Sequence, residues 1–213
     1  VSGFQTARPV FCTTAPPAHA IRVPRARMCS SGDKDVVGGH AAANGEGGAG
    51  VRLVVLVGIP GSGKSTIAKS FNEKGWVIVN QDTLGNRRKC ESATQKALKK
   101  GQNVVIDRTN FDEQQRSHWL RIASECGLPA TAVAALYLQV DVKICKNRVM
   151  SRIGHPTLKP VPSSLGIVDL CFRDLKCPAE KEGFGRVVVF KEGDDIESCC
   201  SSVLQYCVWQ ECV

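Results

Sequence analysis

The chain has 213 residues, 43% of them hydrophobic, enough for one domain of ordinary size and cramped for two. Its longest uncharged apolar runs, such as residues 131–140, fall short of the ~20 residues a bilayer crossing needs, which argues for a soluble chain with no membrane partner. The net charge of +8 favours anionic partners such as nucleic acid or nucleotides.

The elements begin with an acid-free segment. Residues 1–31 carry Arg8, Arg22, Arg25 and Arg27 and four prolines, the composition of an organelle transit peptide; a mitochondrion or plastid is therefore expected, with nucleus or cytoplasm as the alternative if this is a plain disordered tail. Residues 32–50 are dominated by Gly and Ala and read as a flexible linker, so 1–50 form one N-terminal segment. The DKDVV run at 33–37 superficially fits a phosphatase nucleophile loop, but no apolar strand precedes it.

From Val51 onward, apolar β-rich runs alternate with helical patterns, the signature of a parallel sheet flanked by helices. Strands are predicted at 52–57, 76–80, 103–107, 132–139 and 186–190, and helices at 64–74, 87–100, 112–126, 141–152 and 163–176. The organised region is thus 51–192, an α/β fold of about five strands with a helical lid. Eleven cysteines are scattered without paired C-x-x-C motifs. Those in helical patterns, Cys90, Cys126 and Cys145, read as reduced structural thiols.

Directly after the first predicted strand stands GIPGSGKST, residues 58–66, which satisfies G-x-x-x-x-G-K-[ST]. Glycines allow the backbone to curl so that successive N–H groups face one anion, and the following helix adds its positive end. Gly58, Pro60, Gly61, Ser62, Gly63, Lys64, Ser65 and Thr66 are therefore the candidate nucleotide-binding residues, with Lys64 reaching the outer phosphates and Ser65 holding Mg²⁺. The loop specifies a nucleotide and leaves open whether the protein is a switch, a motor or a kinase.

The discriminating residue lies downstream, in VNQDTLG at 79–85. Ligands gather outside the carboxyl ends of the strands in such sheets, and Asp82 follows the second predicted strand at that edge. By position alone it fits a helix cap and a proton acceptor equally well.

GIPGSGKST, VNQDTLG and VIDRTN, taken together over about 52–190, resemble the kinase domain of polynucleotide kinase/phosphatase and its phage relatives. The resemblance implies an ATP-dependent 5′-hydroxyl polynucleotide kinase, plausible in nucleic-acid repair, with Asp82 as general base. This chain departs from that pattern in carrying Gln81 where the family often has a basic residue, and Arg87 where it has an aromatic. Asp107, ending the third strand, occupies the place of a carboxylate that holds Mg²⁺ or its waters, the alternative being an ordinary strand-ending turn with Thr109 and Asn110. After the fourth strand, Arg148 and Arg152 stand four apart on a predicted lid helix, and similarity to small P-loop kinases implies that one or both stabilise the transferring phosphoryl group.

The basic run Arg87, Arg88 and Lys89 opens the third helical pattern, either as a solvated face or as a path for a phosphate backbone. GHPTLKPVPSS at 154–164 breaks the helix with three prolines and suggests a hinge, with His155 as a weak acid–base candidate. Residues 193–213, acidic and Cys-rich, carry no interpretable motif and read as a tail or as the start of a further region. ATP and Mg²⁺ are the expected cofactors and DNA or RNA 5′ ends the expected partner. The competing readings are a small-metabolite kinase on the same scaffold and a non-catalytic nucleotide- or nucleic-acid-binding module.

Overall fold

Five strands form one all-parallel sheet: β1 (Leu53–Val57), β2 (Val77–Asn80), β3 (Val104–Asp107), β4 (Val133–Gln139) and β5 (Arg186–Lys191), in the spatial order β2-β3-β1-β4-β5. The computed structural model describes residues 50–152 and 158–205, all within one unit, Gly45–Val213. The transit-peptide and linker segments, His155 and the last eight positions (206–213) of the expected tail lie outside the described residues. Among the described residues no helix is long and apolar enough to cross a membrane.

β1 and β3 are buried along their whole length, as central parallel strands covered on both faces must be. Their side chains divide by the two-residue period of a strand. Leu53, Val55 and Val57 join Val104 and Ile106 against α3 (Arg87–Lys99) and α4 (Glu113–Glu125), through Cys90, Ala97, Leu98, Trp119 and Ile122. Val54, Leu56 and Val105 face α1 (Lys64–Glu73) and α7 (Ile196–Leu204), through Ile67, Phe71, Cys200 and Val203. A third cluster joins α5 (Val142–Ser151) to α6 (Pro162–Asp174) through Cys145, Val149 and Val168, and reaches Ile59 of the loop after β1.

The predicted strands and five longer helices fall within two residues of their observed ends. Two α-helices escaped the sequence reading. α2 (Gln81–Leu84) is a single turn directly after β2. α7 corrects the reading of 193–213 as a tail: Asp195 caps it by accepting from the Ser198 amide, and Cys199, Cys200 and Val203 are buried against α1 and the sheet. Burial pushes both thiols up to about 11, so at neutral pH they are apolar filling. The described cysteines are all free thiols, as expected.

β1 and β3 are neighbours whose connections leave in opposite directions, β1 toward β2 and β3 across to β4. That reversal opens a crevice beyond their carboxyl ends, where a doubly wound sheet binds its ligand.

Candidate active site

The loop leaving β1 is held at both ends. The Gly58 amide donates to the carbonyl of Thr109, 3.1 Å away, tying this loop to the one that leaves β3. Gly61 has φ +88°, and a Cβ there would lie 2.3 Å from the carbonyl oxygen of Cys145, so the loop backbone presses directly on α5. Only glycine satisfies both conditions. Gly63, at φ +101°, is the N-cap of α1 without a capping side chain, which leaves the first amides of that helix turned to the crevice.

Lys64 is buried and its Nζ donates to the carbonyl oxygen of Ile59 at 2.7 Å and to Ser62 Oγ at 3.5 Å. The amine is therefore parked on the loop's own backbone, in reach of an anion seated there. Burial lowers its pKa from 10.5 to about 8; the attraction of Asp107 opposes this shift and the Arg152 charge adds to it. The unfolded chain thus holds more protons than the folded one between about pH 8 and 10.5, so Lys64 makes folding more favourable as pH rises through that window. Anion binding runs the other way, since a phosphate at Lys64 favours its charged form. Nucleotide binding is accordingly expected to take up protons at pH 8.5 and almost none at pH 6.5. Calorimetry in two buffers of different ionisation enthalpy measures this, and equal enthalpies at pH 8.5 would contradict it.

A cavity of about 360 Å³ collects the remaining candidates. Pro60, Gly61, Gly63, Lys64 and Ser65 line it from the β1 loop, Asp82 from α2 and Asp107 from the end of β3, with Arg152 from the end of α5. A second cavity of about 440 Å³ shares Gly61, Gly63 and Arg152 with the first and is lined also by Ser62, Thr66, Arg148, Phe190 and Ile196. Gly58 lines neither; it packs at the base of the loop against Ser62 and Leu138.

The cap reading of Asp82 fails on geometry. α2 is capped by Asn80, whose Oδ1 accepts from the Asp82 amide at 2.6 Å, and α3 is capped by Asn86. Asp82 is an exposed carboxylate on the cavity wall. Asn80 does more than cap: its Nδ2 donates to Asp107 Oδ2 at 2.7 Å, so one side chain fixes both the Asp82 backbone and the Asp107 carboxylate. Sequence reasoning placed Asn80 in a motif without seeing this role. The register Asn80↔Asp107 makes it inevitable, because paired residues on adjacent strands present their side chains to the same place.

The two lid arginines are not equivalent. Arg148 forms an exposed ion pair with Glu192, Nη2 to Oε1 at 2.7 Å, and borders only the second cavity. Arg152 ends the helix, borders both cavities and is close enough to Lys64 to lower its pKa. Arg87 is occupied by Glu91 and His118, on an exposed face.

The loop after β3 is built around Asn110, which sits at φ +47° with its Nδ2 donating to the Leu56 carbonyl (2.7 Å) and its Oδ1 accepting from Trp119 Nε1 (2.9 Å). Its own carbonyl accepts from Arg116 Nη1 at 3.1 Å. Arg116, wholly buried, also donates to the Lys176 carbonyl and pairs with Glu182 through two bonds, Nε to Oε2 at 2.7 Å and Nη2 to Oε1 at 2.8 Å. This buried hub positions Asp107 and Thr109, and the sequence reading missed it.

A crevice at the switch point of a parallel sheet, with an anion loop after β1 and two carboxylates facing it, defines the class: this is a P-loop kinase domain. Comparison with known proteins carries this further. The family model described as an AAA domain matches residues 88–163. The bifunctional polynucleotide phosphatase/kinase of Schizosaccharomyces pombe is 37% identical over 152 residues, 68% of this chain and 35% of that protein. An Arabidopsis thaliana protein named transcription factor bHLH140 is 29% identical over 154 residues, 68% of this chain and 16% of that one. A fungal RNA kinase structure superposes with TM-score 0.55 at 17% identity, covering 71% of this chain and 81% of that one, a likeness of fold. The resemblance read from the motifs therefore holds: over these residues the chain is similar to a polynucleotide phosphatase/kinase. The chain spans about a third of the length of its S. pombe relative.

Proposed function

We propose that the chain transfers the γ-phosphate of ATP to the 5′-hydroxyl of a DNA or RNA end, a reaction that serves nucleic-acid repair. The observation that carries this reading is the shared lining of one cavity by Lys64, Ser65, Asp82 and Asp107. A transfer reaction needs an anion cradle and a proton acceptor facing the same space, and a binding module has no use for the second.

In this reading Asp82 accepts the proton of the 5′-hydroxyl as its oxygen bonds to the γ-phosphorus, and the bond to the β-phosphate oxygen breaks to release ADP. Lys64 leaves the Ile59 carbonyl to meet the outer phosphates, and Arg152, at the border of both cavities, balances the charge spread over the transferring group. Arg148 serves the nucleotide side from the second cavity once released from Glu192. The Ser65 hydroxyl and the Asp107 carboxylate are hard oxygen donors beside the phosphate loop, which suits Mg²⁺, and when bound that ion would neutralise phosphate charge.

Radiolabelled ATP offered with a 5′-hydroxyl oligonucleotide, beside a panel of sugars and nucleosides, tests the proposal. Label in the oligonucleotide supports it. Label in a small acceptor alone, or in none, overturns it.

A further inference from the structure

Phe111 is a half-buried aromatic that joins none of the three apolar clusters of the fold. It lines the cavity that holds Asp82. Its backbone is fixed on each side: the preceding Asn110 is clamped to β1 and Trp119, the Phe111 carbonyl accepts from the Lys176 amide at 2.7 Å, and the following Asp112 caps α4. A half-buried ring on a fixed backbone that joins none of the apolar clusters and borders a polar cavity offers a stacking surface to a flat partner.

Two neighbours in the lining point to the same kind of ligand. Gln81 Oε1 and Arg108 Nη1 are buried and lack a hydrogen-bond partner among the described residues, although native proteins seldom leave such atoms unpaired. The Arg108 guanidinium is held over the Trp119 ring, 5.7 Å from its centroid, so its place is set before any ligand arrives. An amide side chain and a cationic one thus flank the aromatic residue in the cavity lining, a combination suited to a nucleotide with its base and phosphodiester. Ile167 of α6, also in the lining, is 46% exposed and offers an apolar surface in the same cavity.

We infer that Phe111 is the platform on which the 5′-terminal nucleobase of the acceptor stacks, a specificity-determining residue of the kinase reaction proposed above and dependent on that reading. The donor nucleotide's base is assigned to the second cavity, which shares the phosphate loop but is not lined by Asp82 or Phe111. Stacking tolerates any base, so the platform selects for the presence of a terminal base and not for its identity.

Two 5′-hydroxyl oligonucleotides, alike except that the terminal nucleotide of one is abasic, test this against wild type, Phe111→Ala and Phe111→Tyr. Wild type is expected to show a KM about 10- to 100-fold higher for the abasic acceptor. Phe111→Ala should raise KM for the intact acceptor by a similar factor and lose the preference, with KM for ATP unmoved, and Phe111→Tyr should restore it. Equal damage by Phe111→Ala to both acceptors, or a wild type indifferent to the missing base, overturns the platform and leaves the kinase reading standing. Absence of transfer to either acceptor by wild type overturns both.

Discussion

Asp82→Asn is expected to lower the rate of phosphate transfer by about 10²- to 10⁴-fold while nucleotide binding persists, the range set by loss of a positioned proton acceptor. The substitution keeps shape and volume and removes only the charge and basicity. Its local structure should survive, because the bond that holds α2 runs from the Asp82 backbone amide to Asn80 and does not involve the carboxylate as a cap. Single-turnover transfer to a 5′-hydroxyl oligonucleotide measures the rate, and titration with a fluorescent nucleotide measures the binding. A variant that transfers phosphate at a rate within about tenfold of wild type would remove the proton-acceptor role. Loss of nucleotide affinity along with activity would instead mean that Asp82 belongs to the phosphate site.

Much of this geometry was legible because it follows from short-range rules. The glycines of the β1 loop, the strand before it and the helix after it specify an anion cradle wherever they occur in that order. The strands were readable because β1 and β3 are continuous apolar runs, as doubly covered parallel strands must be. Asp82 was found as a residue but not as a geometry. Its two readings separate only when Asn80 is seen to take the capping position, and α2, with four residues, is too short to announce itself by periodicity.

α7 is a different case, since its signal was present. Ile196, Cys199, Cys200, Val203 and Leu204 repeat at helical spacing behind the capping Asp195. Counting cysteine as a small apolar residue would have exposed that face; the acidic residues before it disguised it. The hub at Arg116 left no such trace. Its partners are 66 residues away at Glu182 and 60 away at Lys176, and a lone arginine in a helix with a polar surround reads as a solvated side chain. Phe111 was equally silent, because a single aromatic in a loop has no periodicity to betray what it faces.

That hub predicts the largest effect on folding. Glu182→Ala leaves the Arg116 guanidinium wholly buried with its charge uncompensated, and only the carbonyls of Asn110 and Lys176 remain to it. Removing one partner of such a pair costs about 3–5 kcal/mol. The same carboxylate also accepts from the Ala179 amide, so the turn before β5 loosens as well. Urea unfolding should show the loss, and a destabilisation under about 1 kcal/mol would mean the charge escapes to water. Replacing both residues with apolar ones, Arg116→Met with Glu182→Leu, should recover much of the stability, since no charge is then left buried. It should not recover acceptor use in full: Arg116 holds the carbonyl of Asn110, and through it the loop that presents Asp107, Thr109 and Phe111 to the cavity. A double variant restored in stability but raised in KM for the oligonucleotide would separate the two tasks of one side chain, and full restoration of both would reduce Arg116 to a packing element.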